Sequence, residues 1–320
     1  MSTNTNTNEL HVVFGAGPVG KGIARELAAK GKQVRIVNRS GKAADLPASV
    51  EVCGTDAYNH ENARRVTEGA AVIYQAAQPE YHEWVEKFPP LQTSILEAAA
   101  AARAKLVVVE NLYSYGDTNG KPLTETLPAN AHTRKGKLRS AMTDQLMAAH
   151  QAGKVQVTIG RASNFYGPEY DVMAEMVFYP ALAGKKANAL GSLDQPHSFT
   201  YVPDFAKALV ILGEHDSALG QIWHIPNAPA LTQREFLTLT FEAAGQPANI
   251  GSIGSLMMRI GGLFNPSAKE TIEMMYEWTK PFVVDSSRFT RAFGLEATPI
   301  KEGIRHTIAW CRAHPQQKGR

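Results

Sequence analysis

The stretch LHVVFGAGPVGKGIARELAAKGKQVRIVNRS, residues 10–40, decides the fold. Its opening LHVVF is a short apolar run that stops at a glycine, the pattern of a buried strand. Val19, Ile23 and Leu27 then recur every four residues and make one apolar helical face. Gly31 follows as a C′ residue, and QVRIV (33–37) is a second strand. Strand, glycine turn, helix and strand together have the size of a βαβ unit. The turn itself, Gly15-Ala16-Gly17-Pro18-Val19-Gly20, matches G-x-G-x-x-G. The first glycine permits the tight turn, the second lets the backbone approach a pyrophosphate, and the third lets the helix pack on the strand. Free N–H groups and the positive end of the helix dipole favour a phosphate at that place. Gly15, Gly17, Pro18, Val19 and Gly20 are therefore read as the pyrophosphate site of a dinucleotide. Gly15 to Lys21 also fits most of G-x-x-x-x-G-K, but Gly22 stands where a P-loop needs Ser or Thr for Mg²⁺. Lys21 is therefore read as an exposed helix residue, and a kinase or ATPase is not expected.

The alternation continues outward. AVIYQAA (71–77), KLVVVE (105–110) and KVQVTIG (154–160) read as strands, with helices at 92–103 and 139–152 between them. Strands alternating with helices imply an α/β fold, a Rossmann doubly wound parallel sheet. After residue 165 the texture changes to turns and shorter helices (172–183, 233–244, 268–277, 300–313), with FTYVPDFAKALVIL (199–212) a strand leading into a helix. The expected organisation is a discontinuous dinucleotide-binding domain, 9–165 plus 197–225, and a smaller, mostly helical C-terminal substrate lobe, 166–196 plus 226–320.

The end of the second strand selects the cofactor. An NAD site carries Asp or Glu there to accept from the ribose hydroxyls, whereas this chain has Asn38-Arg39-Ser40. With no carboxylate to repel a 2′-phosphate and a guanidinium to pair with it and stack on adenine, NADP is preferred over NAD. The formal glycosylation sequon at Asn38 is read as this cofactor loop.

Composition narrows the class. Lys and Arg number 33 against 30 Asp and Glu, so no basic surface points to nucleic acid or an anionic membrane. Cys53 and Cys311 form no CxxC pair, and no H-E-x-x-H occurs, so neither a disulfide framework nor a metal site is expected. G-x-S-x-G is absent too, which removes an α/β-hydrolase. The opening MSTNTNTNE lacks the regions of a signal peptide, and no apolar run has bilayer-spanning length. A cytoplasmic protein acting on a small molecule is expected. Phe178, Tyr179, Trp223, Phe264, Tyr276, Trp278 and Phe282 either line an apolar pocket or form the smaller lobe's core. Gln195 and His197, just before the strand at 199, are candidates to face substrate.

Several further segments occur in the order found in the extended short-chain dehydrogenase/reductase, or NAD-dependent epimerase/dehydratase, superfamily. Asp56 in CGTDAYN resembles that superfamily's acidic residue near adenine. Ala76-Ala77-Gln78-Pro79 resembles its "NAA" wall beside the cofactor, and RASNFYGPE (161–169), with Ala162, Ser163 and Asn164, resembles its "R-x-x-N-x-Y-G-P" segment near the nicotinamide. FTYVPDFAKAL (199–209) resembles its "V-x-D-x-A" segment. The resemblance implies a monomer or a homodimer through helices beside the sheet. It also implies a Ser or Thr after the fifth strand and Tyr-x-x-x-Lys on the next helix. Here this chain departs: Asn111 stands at the serine position, and the best alignment places Lys135 and Arg139 at the tyrosine and lysine. A shift of two places Thr133 and Lys137 there instead, so the chain resembles an atypical branch.

Chemistry remains available to these residues. Asn111 can donate its amide to a carbonyl oxygen. Arg139 can hold the nicotinamide ribose, and Lys135 can act as an acid if its surroundings depress its pKa. Tyr113, Tyr115 and Tyr166 are candidates for a displaced proton donor, Tyr113 first because it lies just beyond a strand's C-terminal end. Packing under a loop is the alternative role for each. Three functions stay open: an NADP(H)-dependent oxidoreductase on a carbonyl, alcohol or enone; a sugar-nucleotide epimerase or dehydratase with NAD; and a non-catalytic NADP-binding redox sensor.

Overall fold

The computed structural model describes residues 9–264 and 266–316. The polar N-terminal segment read above lies, but for Glu9, outside the described residues. The chain divides into two compact units. The first comprises residues up to Ser114, Arg134–Ala162 and Phe205–Ile225; the second comprises Tyr115–Thr133, Ser163–Asp204 and the residues from Pro226.

The first unit is built from β1 (Leu10–Phe14), α1 (Pro18–Ala29), β2 (Gln33–Asn38), β3 (Val50–Gly54), α2 (His60–Val66), β4 (Ala70–Gln75), α3 (Trp84–Ala102), β5 (Lys105–Glu110), α4 (Arg134–Gln151) and β6 (Gln156–Arg161). The strand Ile222–His224 completes a seven-stranded parallel sheet in which β1 lies between β2 and β4. The order runs β3-β2-β1-β4-β5-β6 and then the strand at 222. This is the doubly wound α/β architecture, and its direction reverses between β1 and β4. Open parallel sheets take ligands beyond the strands' C-terminal ends at such a reversal. Both faces of β1 are closed: Val12, Val13 and Phe14 are fully buried, as parallel strands covered on two sides require. Ile23, Ala24 and Leu27 form the buried stripe of α1, and Gly31 follows its end with φ 72°.

Three differences from the sequence reading have local causes. Helix α3 starts at Trp84 and passes through Pro89 and Pro90, which had hidden its beginning. The carbonyls these prolines leave unbonded belong to Val85 and Glu86, which are exposed to water, while Trp84, Phe88, Leu91 and Ile95 anchor the buried face. Helix α4 starts at Arg134, because its charged opening RKGK carries no apolar period. Strand β3 is a short edge strand that the alternation did not reveal.

The second unit carries a helical run, Asp171–Met173, Ala174–Phe178 and Tyr179–Leu182, whose middle segment is π-helical. It also holds the helices Gln233–Ala244 and Ile300–Ala313. Small strand pairs join Ala187–Leu190 to Ile250–Ile253 and Asn164–Tyr166 to Phe199–Tyr201. The expected helix 268–277 is broken into Pro266–Thr271, Ile272–Met274 and Tyr276–Thr279. Phe178, Phe236, Phe241 and Ile304 lie in this unit's own core.

Candidate active site

The glycine turn has the geometry a pyrophosphate needs. Gly15 has φ 104°, and a Cβ there would lie 2.6 Å from Ala77 N. A Cβ on Gly20 would lie 1.9 Å from Gly15 O, so helix and strand approach to a distance only glycine allows. Gly17, by contrast, is the N-cap of α1 and makes no side-chain bond, and a Cβ on it would meet nothing within 4 Å. Pro18 opens the helix, Val19 follows, and the first turn holds no acidic residue. The residues thus fit a dinucleotide: open space before Gly17 and N–H groups free of intrahelical partners behind it.

Beyond β2, Asn38 shapes the next loop. Its Oδ1 accepts from Gly41 N at 2.7 Å and Ser40 Oγ at 3.3 Å, and its Nδ2 donates to Lys42 O at 2.8 Å. Arg39 is exposed and makes no hydrogen bond or ion pair among the described residues. Asp56 is exposed, its Oδ1 accepting from Tyr58 N at 3.1 Å. Ala76 and Ala77 follow β4, with Ala76 N donating to Phe14 O at 2.9 Å, and Gln78 is exposed beside them. Sequence reasoning passed over Gln75. Its side chain is buried, and neither amide atom has a partner among the described residues. A buried orphan amide closing a strand beside the glycine turn calls for a ligand or an ordered water. Its signal was one polar residue ending an apolar strand.

The residues singled out for chemistry fall into two adjoining clusters, which share Trp84 and in which the Arg139 charge acts on Tyr113. In the first, Asn111 Oδ1 accepts from Tyr113 N at 3.2 Å, which leaves its amide NH₂ as donor. The Tyr113 hydroxyl lies 3.3 Å from the Tyr81 hydroxyl. Lys135 is fully buried, with Nζ 4.5 Å from the centre of the Tyr81 ring. In the second, Arg139 donates from Nη2 to Val109 O at 3.1 Å and lies 3.6 Å from Glu110 Oε1. Its guanidinium stands 4.7 Å from the Phe88 ring centre. Burial draws its pKa below the ordinary arginine value, against the pull of Glu110. Glu110 also accepts from Arg161 Nε at 3.0 Å and from Thr143 Oγ1 at 2.9 Å. The structure thus joins Arg139 to a buried ionic cluster of strand ends, and joins Lys135 to the tyrosines. Glu110 and Tyr81 were not anticipated. Glu110 reads in sequence as the last residue of a strand, and Tyr81 precedes the helix start that the prolines hid.

Other candidates fall elsewhere. Ala162 N donates to Glu110 O at 3.0 Å. In the second unit Ser163 is used internally, its Oγ donating to Ser198 O at 2.6 Å and its N to Thr200 Oγ1 at 3.0 Å. Asn164 Oδ1 lies 2.8 Å from His197 Nε2, and its amide also meets the Glu277 carboxyl. His197 is buried and stacked on Trp278, ring centres 4.3 Å apart, and burial pushes it down to about 3. Tyr115 and Tyr166 are buried in this unit, and burial raises the Tyr166 phenol far above its ordinary value.

Glu277 yields a stability prediction. It is 2% exposed, its Oε1 has no hydrogen-bond partner among the described residues, and burial pushes its carboxyl up to about 8. The folded chain therefore holds a proton that the unfolded chain releases at ordinary carboxylate pH, so stability falls as pH rises towards that value. His197 titrates below its ordinary value, so above about pH 6.5 the slope from this pair belongs to Glu277 alone. Glu277→Gln should gain on wild type by about 1.4 kcal/mol per unit between about pH 6.5 and 8. Denaturant unfolding across that range checks it; parallel curves for the two proteins would refute a protonated Glu277.

The model of the NAD dependent epimerase/dehydratase family matches residues 11–225. The chain belongs to this family. It is 26% identical over 260 residues to a dTDP-6-deoxy-L-talose 4-dehydrogenase (NAD(P)(+)) of Kitasatospora kifunensis, covering 76% of this chain and 81% of that protein. It is 21% identical over 314 residues to an uncharacterized protein of Sinorhizobium fredii, covering 90% of this chain and 85% of that one. Among solved structures it resembles the UDP-glucose 4-epimerase of Thermotoga maritima with UDP-glucose, at a TM-score of 0.80 and 17% identity over 96% of this chain and 100% of that one. The likeness in structure establishes the epimerase/dehydratase fold. Among the described residues no helix is long and apolar enough to cross a membrane, and no three metal-ligating side chains converge.

Proposed function

We propose that this epimerase/dehydratase family member is an NADP(H)-dependent oxidoreductase acting on a small-molecule carbonyl, alcohol or enone. The observation that carries the reading is the cluster after β5, where the buried Lys135 cation faces the Tyr81 ring and the Tyr81 and Tyr113 hydroxyls meet at 3.3 Å. Proton-coupled hydride transfer needs a donor whose conjugate charge is stabilised, and this arrangement supplies one without Tyr-x-x-x-Lys. NADPH, when bound, supplies the hydride that adds to the carbonyl carbon. Tyr113 gives its proton to the oxygen as the C=O π pair becomes an O–H bond. Tyr81 hydrogen-bonds the phenolate that results, and Lys135 places positive charge behind it. The Asn111 NH₂ donates to the same substrate oxygen. Gly17 and the start of α1 hold the pyrophosphate, and Arg39 pairs with the 2′-phosphate.

The name of the Kitasatospora relative describes a dehydrogenase using NAD(P)(+), which supports net oxidation or reduction. Loss of NADPH absorbance with a panel of ketones, aldehydes and enones tests the reading; inertness across the panel would leave a dinucleotide-binding protein without this activity. Arg39 gives a separate check. Arg39→Ala should reduce the preference for NADPH over NADH by about tenfold, in proportion to one lost charge-assisted phosphate contact. Dissociation constants for both cofactors measure this. An unchanged ratio would remove Arg39 from the site.

A further inference from the structure

The second unit encloses a cavity with an empty volume of ≈ 560 Å³, its open mouth included. Phe165, Met173, Met176, Phe236 and Trp278 are among the side chains that line it. Met176 and Val177 belong to the π-helical segment Ala174–Phe178, an irregularity that recurs at functional sites.

What the wall lacks is as informative as what it holds. None of the lining side chains is Lys, Arg, His, Asp or Glu. Its polar groups are the Asn164, Asn188 and Gln233 amides and the Tyr170 phenol, which burial pushes up to about 12 and so keeps neutral. Two of the amides are fixed in direction. Gln233 Nε2 donates to Leu190 O and Ser192 O, both at 2.6 Å, which uses its two hydrogens and leaves Oε1 as an acceptor. Asn164 is held by His197 and Glu277, which leaves one amide N–H over as a donor. A diphosphate brought here would lose its hydration and meet no cation, a cost that neutral amides do not repay. An apolar body with one hydrogen-bonding oxygen matches both the surface and the unspent polar groups.

We propose that this cavity binds an uncharged, largely apolar small molecule carrying a carbonyl or hydroxyl oxygen, such as an aryl-alkyl or medium-chain ketone, rather than a nucleotide diphosphate sugar. Naming that molecule as substrate rests on the oxidoreductase reading; the binding itself does not.

Calorimetry on the full chain without NADPH tests it, with 4-phenyl-2-butanone, 2-octanone and cyclohex-2-enone as neutral probes and UDP-glucose and dTDP-glucose as charged ones. At least one neutral probe should bind at least tenfold more tightly than either sugar nucleotide. Met176→Arg should weaken that probe tenfold or more, and so should Val172→Arg. Val172 is a lining residue 57% exposed, so its substitution spares the core. NADPH affinity, read on the first unit, should be unchanged in both variants, and a wild-type circular dichroism spectrum and thermal unfolding curve certify that the second unit is folded. Tighter binding of UDP-glucose or dTDP-glucose, no binding of any neutral probe, or binding that neither substitution affects would overturn the proposal. Turnover separates the two readings. A neutral probe that binds but does not oxidise NADPH leaves the cavity assignment standing and counts against the reaction. NADPH oxidation by a substrate that the cavity variants do not affect does the reverse.

Discussion

Tyr113→Phe should lower the rate of carbonyl reduction by about 10²-fold or more, the effect of removing a general acid. NADPH affinity should stay at the wild-type value, because the glycine turn and the Asn38 loop are untouched. The loss should appear in kcat and in kcat/KM alike, since the proton moves in the transition state. The neighbours define the expectation further. The Tyr81 hydroxyl is 3.3 Å from that of Tyr113, so Tyr81→Phe should cost less, removing a hydrogen bond to the developing phenolate but not the donor. Lys135→Met keeps the length of the side chain and removes the cation 4.5 Å from the Tyr81 ring centre. It should therefore slow the reaction and move the alkaline limb of the pH–rate profile upward, because the phenol then loses its stabilising charge. Steady-state kinetics on the best substrate of the panel decide this. A Tyr113→Phe enzyme within severalfold of wild type would return Tyr113 to a packing role.

How much of this was legible follows from the range of each interaction. The glycine turn acts within a few residues of chain, so its motif and its geometry coincide: Gly15 has the positive φ, and Gly20 has the close approach that the spacing implied. The place of Arg39 was legible for the same reason, since it stands one residue past a strand and is exposed there; the role proposed for it awaits the Arg39→Ala measurement. The proposed site for chemistry was readable only as a departure from Tyr-x-x-x-Lys. The replacement we propose rests on Tyr81, Tyr113 and Lys135, which lie on three segments brought together by the sheet. No periodicity reports such a meeting. Arg139 shows the limit most clearly. Its position in sequence suggested a ribose contact, but its surroundings are set by Phe88 on α3 and by Glu110 at the end of β5. The second unit was legible in its helices and much less in its short strand pairs, which are too brief to show alternation. Its cavity depends on side chains from Asn164 to Trp278, a span no local pattern describes.

Glu110 should prove the most costly single residue to remove. Its side chain is 1% exposed, and it lies between the Arg139 and Arg161 guanidiniums, whose side chains are 2% and 4% exposed. Truncation to Ala would remove the carboxylate that lies between two buried like charges, and would leave Thr143 Oγ1 with the Arg139 carbonyl, at 2.9 Å, as acceptor. Breaking a buried pair in this way costs about 3–5 kcal/mol, and here one carboxylate serves both cations. In a chain of this size that corresponds to a fall in Tm on the order of 10 °C. Glu110→Gln should recover little, since it keeps an acceptor for Thr143 but not the charge. The converse is the sharper test. Buried ionic groups replaced together by apolar ones of similar size are often neutral in stability. The triple variant Glu110→Leu, Arg139→Met, Arg161→Met should therefore regain most of what Glu110→Ala loses, with NADPH affinity kept. If the triple variant is stable but has lost NADPH affinity, the cluster also holds the cofactor, as the position of Arg139 in the sequence first suggested. If Glu110→Ala itself melts with wild type, the two guanidiniums reach solvent or another acceptor, and the cluster contributes nothing to the fold.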